Sequence, residues 1–236
     1  MSNAAGLKKQ FESVLGGEAL EWQARPAPEM VPSGVPEVDR ATGGLPRGCL
    51  TEIFGAASSG RTSLLVAILA EATARQEVCA LVDAEDAFDP ASAAAAGVRF
   101  DRLFWVRCGH RAEWALKAAD LLIQGGGFGL VAMDLGDTPV EMARRISLTS
   151  WFRLRRAVEH TPTVLLTVAR RSNAKTCASL MLECAREGVE WGGPGRPLSR
   201  ARLPSCSALL RGMRVQVARR KPGRAAAATF YCTGRE

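Results

Sequence analysis

From about residue 50 onward, short β-rich runs alternate with longer helical ones, and this alternation leaves few folds open to the chain. Leu50 to Phe54, Val78 to Val82, Leu103 to Val106, Leu130 to Met133 and Val164 to Val168 read as strands. Thr62 to Ala74, Ala112 to Gln124 and Val140 to Glu159 have the length of crossover helices. Strand, helix and strand in this order predict an α/β fold, a mostly parallel sheet with helices on both faces. In such sheets ligands gather beyond the carboxyl ends of the strands. The 236 residues, 47% hydrophobic and 23% charged, suffice for one sizeable core. The apolar run Leu64 to Ala70 is interrupted by Glu71 and Arg75, well short of the roughly 20 residues that cross a bilayer. Lys8 and Lys9 are followed by Phe11, Glu12 and Ser13 where an export signal would need an apolar core. The seven cysteines are an odd set without a C-x-x-C pair. Free thiols in a reducing, cytoplasmic compartment are the expectation.

The flanks have a different character. In residues 1–32, Leu7, Phe11, Val14 and Leu15 recur at helical spacing before Gly16-Gly17, and Pro26, Pro28 and Pro32, then Pro36, mark an extended linker. The apolar stripe of that helix is a candidate partner-binding surface. After Arg170, Gly192, Gly193, Pro194, Gly195 and Pro197 predict a Gly/Pro/Arg-rich loop over about 188–206. Ser207 to Leu210 and Met213 to Ala218 then read as a hairpin turning at Arg211-Gly212, with Ala226 to Cys232 as a last strand in a basic extension, 221–236. Charge is just as uneven: residues 1–143 carry 12 Lys+Arg against 19 Asp+Glu, net −7, while 144–236 carry 19 against 5, net +14. The second part holds only two lysines, and arginine suits phosphate because its planar fork binds two oxygens. Arg196, Arg200, Arg202, Arg219, Arg220 and Lys221 are the candidate DNA-phosphate contacts. A solvated basic face is the alternative.

Gly55-Ala56-Ala57-Ser58-Ser59-Gly60-Arg61-Thr62-Ser63 lies between a predicted strand and a predicted helix, the context of a phosphate-binding loop. Its glycines permit a tight turn with inward N–H groups, and the helix N-terminus favours negative charge. Gly55, Ser58, Ser59, Gly60, Arg61, Thr62 and Ser63 would hold the phosphates, with Thr62 placed on Mg²⁺. Arg61 stands where the motif has lysine, and its longer, stiffer guanidinium puts hydrolysis in doubt. Glu85 follows the next strand, where a carboxylate can orient an attacking water; Asp134 ends a third strand, where an acid can approach Mg²⁺.

Ser33-Gly34-Val35-Pro36-Glu37-Val38-Asp39, Gly43-Gly44-Leu45-Pro46-Arg47-Gly48, Glu52-Ile53-Phe54-Gly55, Ser58-Ser59-Gly60 and Asp83-Ala84-Glu85-Asp86-Ala87-Phe88-Asp89-Pro90 resemble the core of the RecA recombinases in order and spacing. The resemblance runs over about 33–220 and implies a RecA-like P-loop core with ATP and Mg²⁺ as cofactors. Three ATP-handling positions depart from the pattern: Arg61 for lysine, Ser92 for the adenine-stacking aromatic, and Ala169-Arg170 for the Asn-Gln pair that senses the γ-phosphate. They imply weak or absent nucleotide binding and turnover, with Glu85 vestigial. A short RecA-like chain with these departures and a basic C-terminal stretch is similar to ImuA, an accessory protein of damage-induced mutagenesis. That likeness implies an ImuB-like Y-family polymerase paralogue as partner, with RecA or self-association as further options, in translesion DNA synthesis. An active DNA-dependent ATPase, a minimal recombinase, and a RecA-filament regulator that does not touch DNA remain the alternatives. His110 and His160 stand isolated in sequence, which favours surface or capping roles. Trp22, Trp105, Trp114 and Trp151 read as core, and Trp191, beside Gly192-Gly193, as a candidate base-stacking residue.

Overall fold

The computed structural model describes residues 27–193, 196–197, 209–223 and 225–233. The N-terminal stripe Leu7, Phe11, Val14 and Leu15, with Trp22, and the basic residues Arg200 and Arg202 lie outside the described residues. In chain order the elements are β1 (Met30–Val31), α1 (Pro36–Thr42), β2 (Leu45–Pro46), β3 (Cys49–Gly55), α2 (Arg61–Ala74), β4 (Cys79–Asp83), α3 (Pro90–Ala95) and β5 (Leu103–Arg107). There follow α4 (Ala112–Gly125), β6 (Leu130–Leu135), α5 (Val140–Arg144), α6 (Leu148–Val158), β7 (Val164–Ala169), β8 (Leu180–Gly193), β9 (Arg196–Pro197), β10 (Leu209–Lys221) and β11 (Ala226–Thr233). All but β1 and β2 join one sheet, ordered β11-β10-β8-β3-β7-β6-β4-β5, with β9 beside β8.

From β5 to β8 neighbouring strands run parallel. In β3, β4, β6 and β7 the side chains alternate between two covered faces, so these strands read as largely apolar runs rather than as alternating ones. Ile53, Leu81, Ala132, Leu166 and Leu182 pack with Leu64, Leu65, Ile68 and Leu69 of α2. Leu50, Ala80, Val82, Val131, Met133 and Leu165 pack on the other face with Ala115, Ala119 and Ile123 of α4 and Trp151, Leu154 and Val158 of α6. The predicted α/β architecture is therefore present, with helices on both faces.

Four local expectations change. The helix expected over Val140–Glu159 is two helices, because Ser147 caps the second: its Oγ accepts from the Ser150 amide at 3.1 Å. Residues 188–193, expected in a loop, complete strand β8. The expected hairpin turn at Arg211-Gly212 does not exist, since β10 runs straight through it, antiparallel to β8 on one side and β11 on the other. Gly212 marks a register shift instead of a turn. The Tyr231 ring lies across it, so that a Cβ on Gly212 would stand 2.2 Å from the Tyr231 hydroxyl. Trp114, expected in the core, is exposed beneath the Arg111 guanidinium, which sits 4.6 Å from the ring centroid. No helix among the described residues is long and apolar enough to cross a membrane.

Candidate functional site

The loop from Gly55 to Gly60 leaves β3 and enters α2, as the sequence predicts, but it is built against the antiparallel strands. Gly60 takes φ +87°, the left-handed region that favours glycine, and a Cβ there would stand 2.2 Å from a Val215 methyl on β10. A Cβ on Gly55 would meet the Cys184 carbonyl of β8 at 2.4 Å. The Ser59 amide donates within the loop, to the Ala56 carbonyl at 3.2 Å, and Ser59 Oγ is buried without a partner.

Arg61 decides the character of the site. Only 5% exposed, its guanidinium donates from Nη1 to the Gly55 carbonyl at 2.5 Å and from Nη2 to the Gly136 carbonyl at 2.6 Å. Asp137 lies 3.5 Å from Nη2. Burial pushes this guanidinium below its usual pKa, against the opposing pull of Asp137 and Asp134. The side chain thus ties the start of the loop to the turn after β6. Arg170, at the position where the resemblance implies a γ-phosphate sensor, joins it: Nε donates to the same Gly136 carbonyl at 3.2 Å and Nη2 lies 3.6 Å from Asp137. Ala169 beside it is buried. A triphosphate laid in the loop would find its expected cation turned into the protein, so the residues present do not fit that group as they stand.

The two acids also have local partners. Asp134 is 8% exposed and accepts from the Gly136 amide at 2.7 Å. Burial raises its pKa to about 6, with Asp83 adding to the rise and the Gly136 amide and Arg61 opposing it. Glu85 accepts from Thr138 Oγ1 at 2.9 Å and lies 3.0 Å from His110 Nδ1, so both of its oxygens are engaged. His110 is not isolated in space. It adopts φ +63°, held by its amide's bond to the Ala84 carbonyl, and this loop conformation brings its ring to Glu85. No sequence spacing signals that meeting, because 25 residues separate the two.

Sequence reasoning also passed over Glu52 and Asp83 as organisers of the site. Glu52, fully buried on β3, accepts from Ser172 Oγ at 2.6 Å and from the Asn173 and Ala174 amides at 2.6 and 2.9 Å. It fixes the segment that follows Arg170. Asp83, buried at the end of β4, accepts from the Glu85, Ala87 and Phe88 amides and shapes the turn that carries Glu85. A carboxylate within or closing a mostly apolar strand was the available signal for both.

Thr62 and Ser63 open on a different space, a cleft of about 1160 Å³ between α1, α2, α3 and β11. Ser92, Phe230 and Cys232 also line it, whereas Asp134 does not. Ser92 is bound to Asp89, the cap of α3, and offers no ring for a base. The structure therefore brings Thr62, Ser63 and Ser92 together and places Arg61, Asp134 and Arg170 in a second cluster.

The basic residues occupy the far wing of the sheet. Arg220 pairs with Glu183 at 2.5 Å, and Lys221 Nζ donates to the Thr176 and Ala178 carbonyls at 3.0 and 2.5 Å. Arg219 lies in the same strand, β10, and Arg196 in β9. Trp191 is in β8, paired with Leu210.

Comparison with known proteins gives one family. A family model described as the RecA N-terminal domain matches residues 9–141. Protein RecA of Chloroflexus aurantiacus is 35% identical over 162 residues, 62% of this chain and 46% of that protein. Protein RecA of Borrelia hermsii is 43% identical over 108 residues, 45% of this chain and 30% of that protein. Protein RecA of Rickettsia massiliae is 38% identical over 135 residues, 56% and 39% respectively. The chain covers less than half the length of each of these relatives.

Proposed function

This chain belongs to the RecA N-terminal domain family, and from that premise we propose that it is a RecA-like accessory factor for damage-induced mutagenic translesion DNA synthesis, of the ImuA type. It acts through DNA and protein contacts rather than through nucleotide turnover. The observation that carries this reading is the placement of Arg61, whose guanidinium is committed to Gly55, Gly136 and Asp137. ATP hydrolysis needs preorganised positive charge aimed at the transferred phosphate, and that charge is turned inward here. ATP and Mg²⁺ are weak ligands at most, and Glu85 is vestigial.

DNA is held through its phosphates by the arginine-rich half, with little sequence preference. The partners are an ImuB-like polymerase paralogue and RecA or a second copy, with the stripe Leu7, Phe11, Val14 and Leu15 docking on one of these three. ATP turnover measured with and without single-stranded DNA tests the first point, and ordinary DNA-stimulated turnover would defeat it. Replacing Arg219, Arg220 and Lys221 by alanine tests the second. Affinity should fall alike for all sequences, and the salt slope on duplex should flatten by up to about 0.9 per lost contact. The retained acids Glu85 and Asp134 favour a second reading, a DNA-dependent ATPase, which the turnover assay separates from the first.

A further inference from the structure

Two guanidiniums from different elements converge on one carboxylate at the carboxyl edge of the sheet. Arg61 begins α2, Arg170 follows β7, and Asp137 Oδ1 lies 3.5 Å from the first and 3.6 Å from the second. Both arginines also donate to the Gly136 carbonyl, so their positions do not depend on Asp137. The Asp137 side chain is 55% exposed, while Arg61 is 5% exposed. The carboxylate is thus the most exposed member of the cluster, ahead of Arg170 at 42%. Its ion pairs are longer than the roughly 2.7–2.9 Å of a direct charge-assisted hydrogen bond, and Arg61 Nε is buried without a partner. With Asp134 close by, two cations face two acids, and the cluster offers an anion little net attraction.

Resting on the reading of a nucleotide-poor site, we propose that Asp137 is the resident anion of this site. Its carboxylate holds, between Arg61 and Arg170, the place that a phosphoryl group of a nucleoside triphosphate would take, and it excludes that class of ligand. A phosphoryl group presents several oxygens to the guanidinium forks where the carboxylate makes two long contacts. What opposes its entry is the negative charge already there. Removing the charge while keeping the shape opens the cradle.

The test is equilibrium binding of a fluorescent ATP analogue, with Mg²⁺, to the full chain. Asp137→Asn should bind at least about tenfold more tightly than the unaltered protein, the scale of removing one like charge at contact distance. Asp137→Glu, which keeps the carboxylate, should stay as weak as the unaltered protein. Asp137→Asn combined with Arg170→Ala should lose the gain. Equal, weak binding by the unaltered protein and Asp137→Asn, with unchanged melting temperatures, overturns the block alone. A gain in Asp137→Glu also overturns it, because loosening of the turn rather than charge would then be the cause. Tight binding by the unaltered protein defeats the block and the nucleotide-poor reading together.

Discussion

The two wings of the sheet are held by different means. From β5 to β3 each strand is parallel to its neighbours, and β4, β6, β7 and β3 are covered by helices on both faces with largely apolar interiors, while β5 is a partly exposed edge. Beyond β3, the long strands β8 and β10 pair antiparallel over most of their length, and β11 extends the pairing. Beyond Met181, which packs on the second core at the start of β8, only one face of this wing enters the core, through Leu182, Cys184, Val215, Val217 and Phe230. The first wing is stabilised by burial, and the second leans on backbone pairing and on that single apolar face. The phosphate-loop glycines sit at their junction, which is why a β10 valine fills the space beside Gly60.

Substitutions can break this contrast in order of size. Glu52→Ala should be the most damaging, costing about 4 kcal/mol in urea unfolding, because one buried amide, one half-buried amide and a hydroxyl lose their acceptor inside the parallel wing. Gly60→Ala acts at the junction. Left-handed backbone and the Val215 contact together should cost about 3 kcal/mol, and Val215→Ala in the same chain should recover part of it. Additive losses in that double variant would show that the wings are not coupled through the loop.

Asp134→Asn should stabilise. The folded chain raises the Asp134 pKa from 3.8 to about 6, so the proton is bound more tightly when folded. Stability from this group is full below the unfolded pKa and is lost as pH rises through about 6. The substitution should therefore gain roughly 1–3 kcal/mol at pH 7.5 and almost nothing near pH 4, read from denaturation at the two values. Smallest is Arg220→Ala in the antiparallel wing. Its pair with Glu183 is largely solvent-exposed, and its loss should cost under about 1 kcal/mol and speed amide exchange near Glu183 only. A loss as large as that of Glu52→Ala would erase the distinction between the wings.

The same contrast explains what the sequence could show. Strands such as Val164–Ala169 are short, apolar and bracketed by helices, so their number and type were legible within a residue or two. The loop Gly55–Gly60, with Thr62 and Ser63, was legible because its chemistry is local. Strand β8 was not, since Leu182 and Cys184 alternate with Glu183 and Ala185 and Gly188 and Gly192 resemble loop residues. Gly212 suggested a turn because nothing in the chain announces the Tyr231 ring that packs over it. The site was half legible. Arg61, Glu85 and Asp134 could be picked out, but not their partners, because Gly136, Asp137, Thr138 and His110 approach through turns whose paths depend on the finished fold.

The double carbonyl clamp made by Arg61 also bears on which side chains this position can take. A lysine at this position has one ammonium group in place of two separated donors, and it could not serve Gly55 and Gly136 in the same way. A lysine there would give up at least one of these two bonds, leaving Arg170 Nε as the donor to the Gly136 carbonyl. Arg61 is thus part of the loop's wall, and stability alone favours keeping an arginine there.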